Sequence, residues 1–283
     1  MSTLTNESMI HRNHNGDKVP ALGFGTWQLK DAECRNAIET ALDAGYRHID
    51  TAQAYENENE VGETLATSGI PREEIFLTTK VWHEQLTEVG VKKSFQESLN
   101  KLKVEYVDLL LIHWDNEDVP MQQTISAMND LEVEGTVKHI GVSNFTVPKL
   151  EEAAKVSSSP LFANQIEYHP FLTQDPIRSW CLEQGVLVTA YCPIARGKVM
   201  EEPVLKEIGE AHGKSPVQVT LRWMLQQPKL LAIPKSADLD HIRANIDIFD
   251  FTLSPGEMDR IFDLERGERL IDPSFAPDWS ESS

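Results

Sequence analysis

Eight short apolar segments, each followed by a segment of helical periodicity, constrain this chain more than any other feature. The apolar segments cover residues 22–27, 48–52, 76–82, 107–114, 137–145, 163–169, 187–194 and 230–235. The helical ones cover residues 31–44, 58–67, 87–102, 121–134, 148–155, 175–183, 203–212 with 216–226, and 239–247. Segment 107–114 (Val-Asp-Leu-Leu-Leu-Ile-His-Trp) is nearly continuous in apolar residues, the pattern of a strand buried on both faces. Such alternation predicts a parallel sheet covered by helices. Eight units fit an α/β fold of the (β/α)8 TIM-barrel type; a doubly wound open sheet is the alternative. Local signals agree: Gly45 follows the first helical segment, and Pro148 opens the fifth. Asn15-Gly16, within residues 9–19, signals an N-terminal hairpin before the repeat, and the chain after Phe251 adds helical structure beyond it. The length of 283 residues would allow two domains, but no Pro-, Gly- or Ser-rich stretch divides it. A single barrel domain over 1–283 is expected, with 1–8 as a flexible tail.

Charge excludes several partner classes. The formal net charge is −19, from 45 acidic and 26 basic residues. Phosphate backbones and anionic membrane surfaces both call for a basic face, so neither nucleic acid nor membrane is an expected partner. No apolar run approaches the roughly 20 residues that span a bilayer. Residues 1–10 carry no signal-peptide pattern, and Cys34, Cys181 and Cys192 form no paired framework, which fits a reducing cytoplasm. The acidic surface serves solubility; adaptation to salt is the second reading.

In a barrel of this kind the active site forms at the C-terminal ends of the strands. Polar groups recur there: Asp50, Tyr55, Lys80, His113, Ser143 with Asn144, Gln165, Tyr191, and Lys235 with Ser236. Asp50, Lys80 and His113 lie in apolar strands, where an unpaired charge is costly, so an Asp50–Lys80 pair is expected. An ammonium about 4 Å from a phenol contributes roughly 4 kcal/mol at an effective dielectric of about 20. That is expected to lower the Tyr55 pKa from about 10 by up to about three units, before desolvation pushes it back, and to make it a candidate general acid near neutral pH. Each residue taken singly has a plainer role: Asp50 as a helix cap, Tyr55 as a packed lid, Lys80 extending outward, and His113 as a core histidine. Lys235 and Ser236, placed before a helix, suit a phosphate. Ser143, Asn144 and Gln165 could bind a carboxamide, Tyr191 could stack on a flat ring, and Trp27, Trp82 and Trp114 could wall an aromatic pocket.

Other chemistries lack their motifs. Gly23-Phe24-Gly25 has no third glycine, so the dinucleotide loop of an open sheet is missing. No tyrosine precedes a lysine by four residues, and there is no phosphate-binding lysine loop, HExxH, GxSxG or HxH.

Residues 45–62, Gly-Tyr-Arg-His-Ile-Asp-Thr-Ala-Gln-Ala-Tyr-Glu-Asn-Glu-Asn-Glu-Val-Gly, closely resemble a signature of the aldo-keto reductases. Residues 135–145 and Ile233-Pro234-Lys235-Ser236 resemble two further segments of that family, in the same order. The resemblance spans nearly the whole chain. It implies a catalytic tetrad of Asp50, Tyr55, Lys80 and His113, with Tyr55 as proton donor and His113 orienting the carbonyl. It implies NADPH as cofactor, with Ser143, Asn144 and Gln165 at the carboxamide and Tyr191 stacked on nicotinamide. Lys235 and Ser236 would face the 2′-phosphate and Asn245 the adenine. Thr26, Asp50, Cys192, Ile194 and Arg196 are also placed along the cofactor, and Trp27, Tyr55, Trp82, His113 and Trp114 around the substrate. No metal is implied.

One departure bears on the cofactor. The family usually has arginine where His241 stands, and Arg243 lies nearby on the same helix. NADPH preference then rests on Lys235 and Ser236, with NADH the weaker alternative. The ending Arg269-Leu-Ile-Asp-Pro273 with Ala276-Pro-Asp-Trp279 looks like the short-tailed bacterial 2,5-diketogluconate and methylglyoxal reductases. A short tail is expected to leave the pocket open to small carbonyl substrates. The expected protein is a monomeric carbonyl reductase. A cofactor-binding sensor without turnover is the second class, and a metal hydrolase a distant third.

Overall fold

In the computed structural model, residues 11–14 and 16–282 are described; the 1–8 tail and Asn15 of the hairpin turn lie outside the described residues. All six residues of Val107–Ile112 are buried, as a strand covered on both faces requires. That strand, β6, belongs to a parallel sheet running β3 (Phe24–Gly25), β4 (His48–Asp50), β5 (Phe76–Val81), β6, β7 (Val137–Ser143), β8 (Ala163–Glu167), β9 (Leu187–Tyr191) and β10 (Leu230–Ala232), each paired with its neighbour in sequence. The sheet closes on itself. Gly23 N donates to Ala232 O at 2.8 Å, Gly25 N to Pro234 O at 3.0 Å, and Ala232 N to Ala21 O at 3.0 Å. The seam needs glycine: a Cβ on Gly25 would sit 2.9 Å from Ile233 O. The closed barrel, rather than the open sheet, is therefore the fold.

Helices α1 (Asp31–Asp43), α2 (Glu58–Thr67), α3 (Glu88–Leu102), α4 (Met121–Val133), α5 (Val147–Val156), α6 (Asp175–Gln184), α7 (Pro203–His212), α8 (Pro216–Leu225) and α9 (Leu239–Ile246) follow the strands, and α10 (Pro255–Phe262) lies beyond the repeat. Ser215 and Ser254 each form a capping box, with Gln218 and Glu257, before a first-turn proline. Several segments end earlier than the sequence suggests. The first strand shrinks to two residues, and the chain bends out of it through Gln28 with φ +65°. The last strand stops at Ala232, two residues before Pro234, which has no N–H to extend a ladder.

The hairpin of β1 (His11–His14) and β2 (Asp17–Pro20) belongs to the N-terminal end of the barrel. His139 of β7 bonds Asp17 and stacks on Phe162 at 4.0 Å, and His14 meets the same ring edge-on at 4.7 Å. His48 packs edge-on against Phe76 at 5.0 Å, and its ring nitrogens face Pro20 O and Thr78 Oγ1, each at 3.3 Å. The Arg12 guanidinium donates to Leu225 O at 2.7 Å and Gln227 O at 3.2 Å. This end of the barrel is packed shut; the other opens into a cleft. Among the described residues, no helix is long and apolar enough to cross a membrane.

Candidate active site

A lysine buried in a strand must find a carboxylate or lose its charge. Lys80 of β5 and Asp50 at the end of β4 meet at 2.5 Å, both fully buried. Lys80 Nζ also donates to Thr51 O at 2.9 Å and reaches the Tyr55 hydroxyl at 3.3 Å. The second Asp50 oxygen accepts from Gln165 Nε2 at 2.7 Å, so β8 braces the pair from across the barrel. His113 directly follows β6, and its ring meets those of Tyr55 at 5.6 Å and Trp82 at 5.3 Å. The four expected catalytic side chains thus converge on one place, and the plainer roles of cap, lid and extended lysine do not describe them.

Tyr55 rides on a single 3₁₀ turn, Gln53–Tyr55, ended by Glu56 in the left-handed region. Three residues that the sequence reading did not single out hold this turn. Gln53 accepts from Trp82 N at 3.0 Å and donates to Ser98 Oγ at 3.1 Å. Buried Asn57 donates to Thr26 O at 2.8 Å and Leu29 O at 3.0 Å, and accepts from Thr51 Oγ1 at 2.8 Å. Lys30 donates to Tyr55 O at 2.7 Å. Asn57 lies inside the signature stretch; a buried, fully bonded amide is the signal that could have marked it.

Electrostatics corrects one expectation. The Tyr55 hydroxyl is not acidified: burial, and then the Asp50 carboxylate, push its pKa well above the ordinary phenol value. Lys80 spends its charge on Asp50, and burial lowers its own pKa. His113 is driven well below the usual imidazole value by burial, by Lys80 and by His83, so the ring is neutral. Its Nδ1 is buried without a partner among the described residues, so a proton there would be an unsatisfied donor. The neutral tautomer with the proton on Nε2 leaves Nδ1 an unpaired acceptor instead and turns the donor toward the cleft that the ring lines.

Asp50, Tyr55 and His113 form one end of a cleft of about 1180 Å³, with the buried Lys80 outside its lining. Thr26, Trp27, Asp50, Tyr55, Trp82, His113, Trp114, Asn144, Gln165, Tyr191, Cys192, Ile194, Arg196 and Lys235 all line it. Thr26 Oγ1 donates to Asp50 O at 3.0 Å, and the Arg196 guanidinium lies over the Trp27 ring at 5.9 Å. Asn144, with φ +64°, donates to His113 O and Ser143 Oγ, both at 3.0 Å, and accepts from the Tyr191 hydroxyl at 2.7 Å. Ser143 Oγ donates to Gln165 O at 2.8 Å, behind the cleft surface. The lining also includes Gln53, Lys93 and Lys101, and residues 270–273 of the tail, none of which the sequence placed at the site.

Ser236, His241 and Asn245 are not part of that lining. Ser236 does not start the following helix as its position before it suggested. Asp238 is the cap: its carboxylate accepts from the amides of Asp240 at 2.9 Å and His241 at 3.0 Å, which lowers its pKa. Ser236 is bonded to the backbone of Asp238 instead. Nor does the short tail leave the rim bare, since residues 270–273 make one wall.

The profile of the aldo/keto reductase family matches residues 21–266. A glyoxal reductase of Bacillus subtilis (strain 168) is 41% identical over 258 residues, 91% of this chain and 93% of that protein. A crystal structure described as that of a 2,5-diketo-D-gluconic acid reductase B superposes with a TM-score of 0.94 at 44% identity, covering 98% of this chain and 99% of that one. An aldo-keto reductase of Bombyx mori, solved in complex with NADP, gives a TM-score of 0.86 at 33% identity, with 94% of each chain covered. A barrel with one buried Lys–Asp pair under a tyrosine at its open rim, matched along nearly its whole length, belongs to the aldo/keto reductase family of oxidoreductases.

Proposed function

We propose that the protein reduces small aldehydes and ketones to alcohols with NADPH, taking the proton from Tyr55. The observation that carries this reading is the Tyr55 hydroxyl 3.3 Å from Lys80 Nζ, itself held at 2.5 Å from Asp50. The cleft suits a phosphorylated dinucleotide: Arg196 and Lys235 are cations in its lining on a chain of net charge −19. Tyr191, Asn144 and Gln165 would hold the nicotinamide end, and Lys235 with Ser236 the 2′-phosphate. NADPH, when bound, supplies the hydride. The supporting likeness is the Bombyx mori enzyme's complex with NADP. NADH is the weaker alternative, because His241 offers less charge than an arginine.

The chain's own residues then manage one proton. His113 Nε2–H donates to the carbonyl oxygen and polarises it, which a neutral ring can do. As charge develops on that oxygen, Tyr55 transfers its proton to it and becomes a phenolate beside Lys80. A phenol of raised pKa can still do this. An alkoxide is about as basic as hydroxide, whose conjugate acid has a pKa of about 15.7, so the transfer runs downhill. Burial keeps Tyr55 protonated until that moment. Trp27, Trp82 and Trp114 exclude water around the reacting carbon.

Methylglyoxal, glyoxal, diketogluconate and short aldehydes are the substrates of choice, by analogy with the glyoxal reductase and the diketogluconate reductase structure. The same reading has the protein act as a monomer in a reducing cytoplasm. Cys34 and Cys181 are buried thiols whose pKa values are pushed up to about 12, which keeps them unreactive. The test is a panel of these carbonyls run with NADPH and with NADH, followed by cofactor absorbance. Turnover of none of them, despite tight NADPH binding, would assign the protein to cofactor sensing instead.

A further inference from the structure

Glu167 is fully buried at the top of β8, two residues beyond Gln165 and therefore on the same face of the strand. Gln165 grips Asp50; Glu167 grips the C-terminal tail. Its Oε1 accepts from Leu270 N at 2.8 Å and from His169 Nε2 at 2.9 Å, and its Oε2 accepts from Ile271 N at 2.9 Å. His169 is also fully buried, and its Nδ1 has no partner among the described residues. The ring proton therefore belongs on Nε2, aimed at Glu167. The turn after β8 docks the rest of the segment: Glu268 N donates to Phe171 O at 2.9 Å, the Arg266 guanidinium lies 3.8 Å over the Phe171 ring, and Arg269 donates to Gln174 Oε1 at 2.9 Å.

A buried carboxylate that accepts from two successive backbone amides of a distant segment fixes both the height and the rotation of that segment. Beyond this anchor, residues 270–273 wall the cleft. Phe275 then crosses to the opposite rim, stacking on His83 at 4.5 Å and meeting Trp114 edge-on at 5.5 Å. We propose that Glu167, oriented by His169, is a positioning residue that sets this wall and thereby selects carbonyl substrates bearing an aromatic or branched apolar substituent. The smallest dicarbonyls carry no such substituent and are expected to be indifferent to the wall. The proposal rests on the carbonyl-reductase reading for the selection it assigns, while hydrogen exchange at the tail tests the anchor independently of it.

The test is Glu167→Gln in the full-length enzyme. Glutamine turns one carboxylate oxygen into an NH2 donor facing a backbone N–H, so one tail amide loses its acceptor. Hydrogen exchange at Leu270 and Ile271 should accelerate while amides of β6 keep their rates. The ratio of kcat/KM for an aromatic aldehyde to that for methylglyoxal should fall about tenfold, through KM rather than kcat. In a Phe275→Ala background the substitution should add less than about twofold, because both act through one wall. Should Glu167→Gln not fold, Ile271→Pro removes one of the two amide donors directly and carries the same two expectations. Unchanged exchange at both amides, an equal rise in KM for both aldehydes, or full additivity with Phe275→Ala would each overturn the proposal. A wild-type enzyme that reduced no carbonyl would instead defeat the functional reading and leave the exchange measurement to judge the anchor.

Discussion

The two ends of the barrel use the same residue types to opposite effect. At the N-terminal end, His14, His48 and His139 pack against Phe76 and Phe162, His139 bonds the half-exposed Asp17, and the buried Arg12 guanidinium donates to backbone carbonyls. At the C-terminal end, His113 packs against Tyr55 and Trp82, and the charge is the fully buried Lys80–Asp50 pair. At the closed end the polar atoms are mostly satisfied among themselves and the hairpin seals it. At the open end the Tyr55 hydroxyl and the His113 ring face a cleft, and among the described residues neither donates its proton to a protein group.

The strongest challenge to this contrast is Tyr55→Phe. It removes the one transferable proton and should lower turnover by about 10²–10⁴-fold, with NADPH binding retained by fluorescence titration. Turnover within tenfold of the parent enzyme would show that the open rim is no more reactive than the closed end. Next comes Lys80→Met, which leaves Asp50 as a buried, uncompensated charge and should cost about 3–5 kcal/mol in denaturant unfolding. The counterpart His139→Phe keeps the stack on Phe162 and gives up only a bond to the half-exposed Asp17, so a loss below about 1 kcal/mol is expected. Equal losses would erase the distinction between the two pairs.

A pH experiment probes the closed end alone. Burial, then the charge of Lys229, lower the His14 pKa to about 4 from an ordinary 6.5. The unfolded chain therefore binds a proton that the folded one refuses between those values. Stability should fall as pH drops through 6.5 and level off near 4, by at most about 3 kcal/mol. His14→Gln should flatten that limb of the stability curve while the pH profile of turnover stays put; a parallel change in both would link the two ends. The smallest effect concerns the far reach of the cleft. Lys235→Ala should weaken NADPH about tenfold and NADH by less, since only the former carries a 2′-phosphate. Equal weakening would move the phosphate away from Lys235.

Much of this architecture is readable from residue order. The run Val-Asp-Leu-Leu-Leu-Ile can only be a strand covered on both faces, and eight such units leave few folds. The Lys80–Asp50 pair is readable because neither charge survives alone in an apolar strand. The direction of the Tyr55 shift is not. A pairwise argument sees the ammonium nearby, but the outcome depends on burial and on Lys80 being already engaged by Asp50. His48 and Asp50 show the same limit from another side: two residues apart on one strand, the first belongs to the closed end and the second lines the open cleft. Glu167 escaped notice because its partners, Leu270 and Ile271, contribute only backbone amides, which leave no mark in side-chain identity.

The sequence by itself pointed to the eight-unit α/β repeat and to the family, and it singled out Asp50, Tyr55, Lys80 and His113 for one rim. Hydrophobic periodicity and the cost of unpaired buried charge act locally, strand by strand, and the signature residues carry the rest. Only the tertiary structure decided which end of each strand is open, which side chains are already satisfied, and that the tail returns to wall the cleft. Those properties depend on closure of the sheet and on contacts between residues more than a hundred positions apart, and burial, which sets the protonation of Tyr55 and His113, exists only once that closure is complete.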